Sequence, residues 1–246
     1  MGTDVDPFAH WPDRTRLYDG SGRVLLVYSA SQDTRDGRPW ADGTWRPPSV
    51  PVEATLAAVT DRLRGYAFST SDQELIQSLI AAGAVQVRHA HVMSHPLENL
   101  VTRTADDPGL AIEPLTAGQV SRHARRLGEL CHAAYPVGHV DHTGCDLAAA
   151  VEHIRAIGRG EVLGPLMEVT RVAVDGGQIV GACLVVDRDG TPPDGGPWVI
   201  DIFRDPSSPV RGIGAALLNA ALAAARRCSG PLSIGARTFA MACISA

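Results

Sequence analysis

The sequence predicts an α/β chain of the α+β kind: a mixed, mostly antiparallel sheet flanked by helices, preceded by a smaller α/β region. Three observations carry this. Apolar runs at Leu166–Val174 and Ile179–Val186 flank Asp175-Gly176-Gly177, a hairpin signature. Segments with apolar residues three and four apart, such as Val52–Arg64 and Gln73–Ala82, read as amphipathic helices. The apolar strand Trp198–Phe203 runs through a Pro-rich turn into Gly-x-Gly and a long Ala/Leu helix.

The elements follow in order. Arg23–Tyr28 is a strand, with a loop through Arg46-Pro47-Pro48, then the helix Val52–Arg64. Gly65–Thr70 reads as a short strand. Ser71 or Asp72 can cap the helix Gln73–Ala82, and Gly83 stops it. Val85–Met93 alternates like a half-buried strand, whose His89, His91 and nearby His95 read as a solvated face. Thr102–Pro108 is polar and turn-prone, so it is the expected linker between a domain at 1–105 and a domain at 110–246. Beyond it come a strand at Leu110–Leu115, a helix from Thr116 to about Tyr135 and a helix over Asp146–Arg159. The hairpin, the Trp198–Phe203 strand, the Gly212–Arg227 helix and a last strand at Pro231–Gly235 complete the second half.

Composition excludes several chemistries. The net charge of −5 and the lack of a basic block argue against a nucleic-acid partner. No run approaches the roughly 20 apolar residues of a membrane helix, and the acidic start MGTDVDPFAHWPD has no signal-peptide core. Five cysteines without a CxxC pair fit a reducing compartment, so a cytoplasmic location is expected. All 22 basic residues are Arg, which removes a Walker A lysine, a Schiff-base lysine and a Ser–Lys dyad.

The segment PWVIDIFRDPSSPVRGIGAALLNAALAAAR (197–226) places unpaired N–H groups at a helix start, with Arg211 beside them. That is a seat for a phosphate. A Rossmann fingerprint competes, but its third Gly would fall on Leu217.

With its strand, two helices, three strands, helix and strand, Leu110–Gly235 resembles the GNAT superfamily of acyl-CoA-dependent acyltransferases. Gly212 and Gly214 occupy the family's two small positions; Pro209 stands where the family has Gln or Arg, so one backbone donor is lost there. The resemblance implies acetyl-CoA as co-substrate, its diphosphate on the amides of Arg211, Gly212, Ile213, Gly214, Ala215 and Ala216. The pantetheine arm would then pair with Ile202, Phe203 and Arg204. It implies acyl transfer to the amine of a small molecule or peptide in a ternary complex, with no metal; a homodimer is allowed. The alternative is a catalytically impaired CoA-binding module.

Asp201, a carboxylate inside WVIDIF, is the candidate base, because burial would raise its pKa; a structural Asp, bonded to backbone or facing solvent, is the alternative. Glu168 is the second choice. His132, Tyr135 and His139 lie where this family walls its acceptor pocket. His139-Val140-Asp141-His142 reads as a polar surface turn, since no third metal ligand has a known position.

After its cofactor helix the family continues with a strand, a helix carrying an Asn and a Tyr, and a hairpin; no Asn or Tyr lies beyond Asn219 here. The domain is therefore expected to be truncated, and activity is in doubt for that reason. Residues 1–105 carry a strand–helix–strand like the missing piece. They are expected to be the degenerate remnant of a tandem repeat; the other reading docks them onto the incomplete sheet.

Overall fold

The computed structural model describes residues 5–9, 11, 13–32, 37–91, 97, 110–139, 141–142, 144–190, 195–228 and 238–243. Two compact units divide the chain: Met1–Met93 with Ala236–Ala246, and Ser94–Gly235.

The first unit opens with an antiparallel meander of β1 (Arg14–Tyr18), β2 (Val24–Gln32) and β3 (Pro39–Trp45). Helix α1 (Val52–Arg62) crosses to β4 (Ala67–Thr70), which runs parallel to β3 but pairs with it only at Trp40–Ala67 and Ala41–Phe68. Helix α2 (Gln73–Ala81) starts where the Asp72 carboxylate accepts the Leu75 N–H at 3.1 Å, and β5 (Val85–His91) follows. Between β4 and β5 lies a strand from the far end of the chain, Thr238–Cys243 (β10, the last in chain order), antiparallel to both. The sheet order is β1-β2-β3-β4-β10-β5. Leu26, Phe68, Leu75 and Val59 are fully buried where α1 and α2 cover this sheet.

The second unit is a three-layer sandwich. Its sheet, in the order β6-β7-β8-β9, is wholly antiparallel: β6 (Leu110–Pro114), β7 (Arg171–Asp175), β8 (Gln178–Arg188) and β9 (Gly196–Arg204). The β7–β8 turn at Gly176-Gly177 has φ of 52° and 78°, the signs a type I′ hairpin requires. Helices α3 (Ala117–Arg122), α4 (Ala124–Ala134) and α5 (Leu147–Gly158) cover one face, around Leu127, Ile154 and Leu184. On the other face α6 (Ile213–Cys228) packs Ile213 and Leu217 on Cys183 and Val185.

Several expectations change. The helix expected from Thr116 to Tyr135 is two helices, because His123 leaves helical geometry (φ −98°, ψ 11°) at their junction. Leu166–Val174 is not one strand: Leu166 makes an isolated bridge to Val186, Glu168 and Val169 form a turn, and β7 begins only at Arg171. The region through Arg46 contains β3, whose Pro, Asp and Gly hid it from propensity reasoning. The tail groups with the first unit rather than the second, since β10 takes its hydrogen bonds from β4 and β5. The expected linker at 102–108 and the strand at 231–235 lie outside the described residues, as do the side chains of His89, His91 and His95.

Candidate active site

The site begins with a register slip. Leu184 pairs with Asp201 but Val185 pairs with Val199, so Ile200 is an extra residue in β9. A bulge of this kind changes the phase of the strand's alternation. Trp198, Ile200 and Phe203 all pack on the α3–α5 side, whereas Val199 and Ile202 pack on the α6 side. The slip is what turns Asp201 toward α4: Tyr135 donates its hydroxyl to Oδ1 at 2.6 Å, and the Cys131 thiol reaches Oδ2 at 3.5 Å.

Burial raises the Asp201 pKa, against the lowering effects of Tyr135, Cys131, its own Ile202 amide and His153. Burial first, and the Asp201 charge second, push the Tyr135 hydroxyl and the Cys131 thiol far up, so both stay protonated as donors. Cys183 is pushed up to about 12 for the same two reasons. The arrangement holds a carboxylate in a poorly solvated place with two protons aimed at it, which suits a group that receives and returns a proton.

The end of α4 is fastened as well. His142 Nδ1 lies 2.8 Å from the Tyr135 carbonyl oxygen, and the His139 ring stands edge-on to the Tyr135 ring at 5.1 Å. His132 is half-buried on α4 and makes no bond to Asp201 among the described residues. Glu168 does not join the site: it sits exposed in the turn before β7.

Strand β9 is an edge strand, so the far side of Ile202, Phe203 and Arg204 has no strand partner among the described residues. From Arg204 the chain turns through Asp205–Arg211 into α6. Gly212 precedes the helix with φ of 77°, a conformation that only Gly adopts freely, and its carbonyl accepts the Ala216 N–H at 2.9 Å. The Ala216 amide is therefore spent inside the helix, which narrows the expected donor set. The amides of Gly212, Ile213, Gly214 and Ala215 have no acceptor among the described residues. Ile213 is fully buried and anchors this end, while Arg211, Gly212 and Ala215 are exposed. A Cβ placed on Gly212 or Gly214 would meet nothing within 4 Å, so both glycines face open space. A cleft of about 450 Å³ opens there, lined by Arg204, Ser208, Pro209, Val210, Arg211 and Gly212.

The turn before that cleft is braced through Asp205. Its Oδ1 accepts the Ser207 N–H at 2.9 Å and hydroxyl at 2.5 Å, and its Oδ2 accepts Arg126 Nη2 at 2.9 Å. Its N–H donates to Val180 O at 2.7 Å, and its carbonyl accepts the Ser208 N–H at 3.2 Å and Arg204 Nη1 at 3.1 Å. Sequence reasoning found the glycine turn and Asp201, but not Asp205, Arg126, Cys131 or the bulge. Only the sequence DPSS, an Asx-turn signal, marked Asp205.

Among the described residues no group of three or more His, Cys, Asp or Glu side chains converges as for a metal ion, and no helix is long and apolar enough to cross a membrane.

Comparison with known proteins fits this geometry. Residues 149–238 match the model of the Acetyltransferase (GNAT) family. Two solved structures share the fold. A GCN5-related N-acetyltransferase from Kribbella flavida is 14% identical, with a TM-score of 0.52, over 94% of this chain and 89% of that one. A tandem GNAT protein from the clavulanic acid biosynthesis pathway is also 14% identical, with a TM-score of 0.53, over 96% of this chain and 85% of that one. No curated protein matches the sequence significantly. By sequence, residues 149–238 are similar to the Acetyltransferase (GNAT) family, and by fold the chain resembles these two solved structures.

Proposed function

We propose that the second unit is an N-acetyltransferase that takes acetyl-CoA and transfers its acetyl group to the primary amine of a small molecule or peptide. The observation that carries this reading is the open row of amides at Gly212–Ala215, beside exposed Arg211 and under two glycines with free space above them. That cradle suits a diphosphate. The open edge of β9 at Ile202–Arg204 suits the amide groups of a pantetheine arm.

Asp201 is the base of this proposal. It takes a proton from the acceptor's ammonium and passes it to solvent; the amine nitrogen attacks the thioester carbon, the C–N bond forms, the nitrogen gives up its second proton to solvent and the C–S bond breaks. The departing thiolate then takes a proton from the solvent side. Tyr135 holds the carboxylate in place and tunes its pKa. We place the reaction in the cytoplasm, where acetyl-CoA is available and cysteine thiols stay reduced.

Residues 1–105 enter the proposal as a degenerate GNAT-like repeat. The β1–β2 pairing slips by one residue between Leu17 and Tyr18, as β7–β8 does between Ala173 and Val174. The β2–β3 pairing slips again between Val27 and Ser29, as β8–β9 does between Leu184 and Val185. Two slips of one direction at corresponding places favour a repeat over coincidence, and the likeness to a tandem GNAT protein agrees.

Calorimetric titration with acetyl-CoA, followed by thiol release across a panel of amines, tests the reading. Binding with amine-dependent thiol release is expected, and the same sample shows by light scattering whether the chain is a monomer or a homodimer. Binding without release from any amine would leave a CoA-binding module in its place; no binding at all would end the proposal.

A further inference from the structure

We infer that Asp205, clamped by Arg126, is the positioning residue that sets the geometry of the amide cradle at Gly212–Ala215; this rests on the acyl-CoA reading above. Neither side chain lines the cleft. Asp205 nevertheless commits every polar atom it has. One carboxylate oxygen fixes Ser207, the other takes Arg126, the N–H goes to Val180, and the carbonyl gathers Ser208 and Arg204. These bonds define the path of the only segment joining β9 to α6, and that segment forms most of the cleft wall.

Arg126 brings a second element to the same point. Its Nε donates to the Ile179 carbonyl at 3.0 Å while Nη2 holds Asp205, so α4, the start of β8 and the cleft turn meet on one guanidinium. Nine residues further along the chain Tyr135 holds Asp201. Helix α4 therefore grips β9 at the proposed base and the turn at its exit, two carboxylates four positions apart. The Ser207 donors first, and Arg126 after them, keep the Asp205 pKa below the usual carboxylate range, so the carboxylate meets Arg126 as a charged partner at neutral pH. An anion seated on four backbone amides depends on their alignment, and a misplacement of about 1 Å is costly.

The test uses the full chain with Asp205→Ala, Asp205→Asn, Arg126→Ala and the Asp205→Ala/Arg126→Ala double variant. Two readouts are taken: acetyl-CoA affinity by calorimetry with steady-state kinetics, and amide hydrogen exchange over residues 205–216 without ligand. Asp205→Ala should raise Kd and KM for acetyl-CoA about tenfold and change kcat by less than about threefold. Asp205→Asn keeps an acceptor for Ser207 and loses Arg126, so it should fall between the wild type and Asp205→Ala. Arg126→Ala should shift Kd in the same direction, and the double variant should add little to Asp205→Ala. The acid limb of the rate profile should stay where the wild type has it, since Asp201 keeps its partners. Exchange at Val210–Gly214 should quicken in every variant.

Unaltered Kd and unaltered exchange in folded Asp205→Asn and Arg126→Ala would overturn the inference. A wild-type protein that does not bind acetyl-CoA would instead refute the acyl-CoA reading, and the exchange measurement would still decide whether the clamp orders the turn.

Discussion

The two units contain the same construction, a bulged strand leading through a short loop into a helix, and only one of them sets two unobstructed glycines and an exposed arginine at the helix start. In the second unit β9 ends at Arg204 and α6 starts behind Gly212, with open amides and an exposed Arg211. In the first, β3 ends at Trp45 and α1 starts behind Pro51, which has no N–H, with Val50 and Val52 buried and Glu53 at the second helical position. Gly214 holds that same position in α6. Arg46, the cation nearest the α1 loop, is spent on Asp72 at 2.6 Å and Glu74 at 2.8 Å, and donates to Val50 O at 2.6 Å. The strand differs in the same sense. Following its slip β3 offers Thr44 and Trp45 where β9 offers Asp201, and the Thr44 hydroxyl donates to the Ser69 carbonyl at 2.7 Å. Trp11 packs its ring against the bulge at Gly43. Two stretches with similar hydrogen-bond register can thus differ in what they offer a ligand, because register depends on the core and chemistry depends on a few exposed atoms.

That contrast can be broken directly. Gly214→Glu transplants the acid of α1 into α6. Acetyl-CoA affinity should fall at least about a hundredfold, since a carboxylate would occupy the cradle, while thermal stability holds because an acid suits a helix start; calorimetry and a melting curve check both. Retained affinity would mean that the anion does not sit on α6. Asp201→Asn should cost about 10²–10⁴ in amine-dependent thiol release and leave acetyl-CoA binding in place. It should also make the protein more stable near neutral pH. The folded pKa of Asp201 is raised, so the folded state holds a proton that the unfolded state has lost, and stability declines as pH rises through that window. A neutral Asn has no such penalty.

Tyr135→Phe should act more gently. Its hydroxyl favours the Asp201 carboxylate, so its removal raises the Asp201 pKa further and moves the acid limb of kcat/KM to higher pH. A limb that stays put would detach Asp201 from the rate. The smallest effect on chemistry belongs to Arg46→Ala. It should lower stability by about 1–3 kcal/mol through loss of a braced, largely buried guanidinium and leave acetyl-CoA affinity unchanged, because the proposed cradle lies in the second unit.

How much of this was legible depended on the range of the interaction that decides each feature. The glycine turn, the caps at Asp72, Thr116 and Asp146, and the Gly176-Gly177 hairpin are decided within a few residues, and the sequence displays them. Strand β3 (PWADGTW) was hidden because its pairing to β2 overrides a Pro, an Asp and a Gly that argue locally for a loop. Asp201 was visible as an acid among apolar neighbours, yet its direction depends on a slip at Ile200 that only the pairing with β8 reveals. Glu168 misled because the apolar run Leu166–Val174 reads as one strand while the chain turns at Glu168-Val169. The Asp205–Arg126 bond joins residues far apart in sequence, so no local pattern announces it.

The placement of β10 has a consequence for how the molecule is made. A ribosome delivers the first unit's β4, α2 and β5 early, but the strand that satisfies both β4 and β5 emerges only after the whole second unit has been made. At ordinary elongation speeds the interval is on the order of ten seconds. Throughout it two strand edges stand unpaired, an invitation to strand-seeking neighbours that chaperones exist to refuse. Maturation of the first unit therefore waits on the arrival of β10, and its solubility in the cell should depend on how quickly the ribosome crosses the intervening unit.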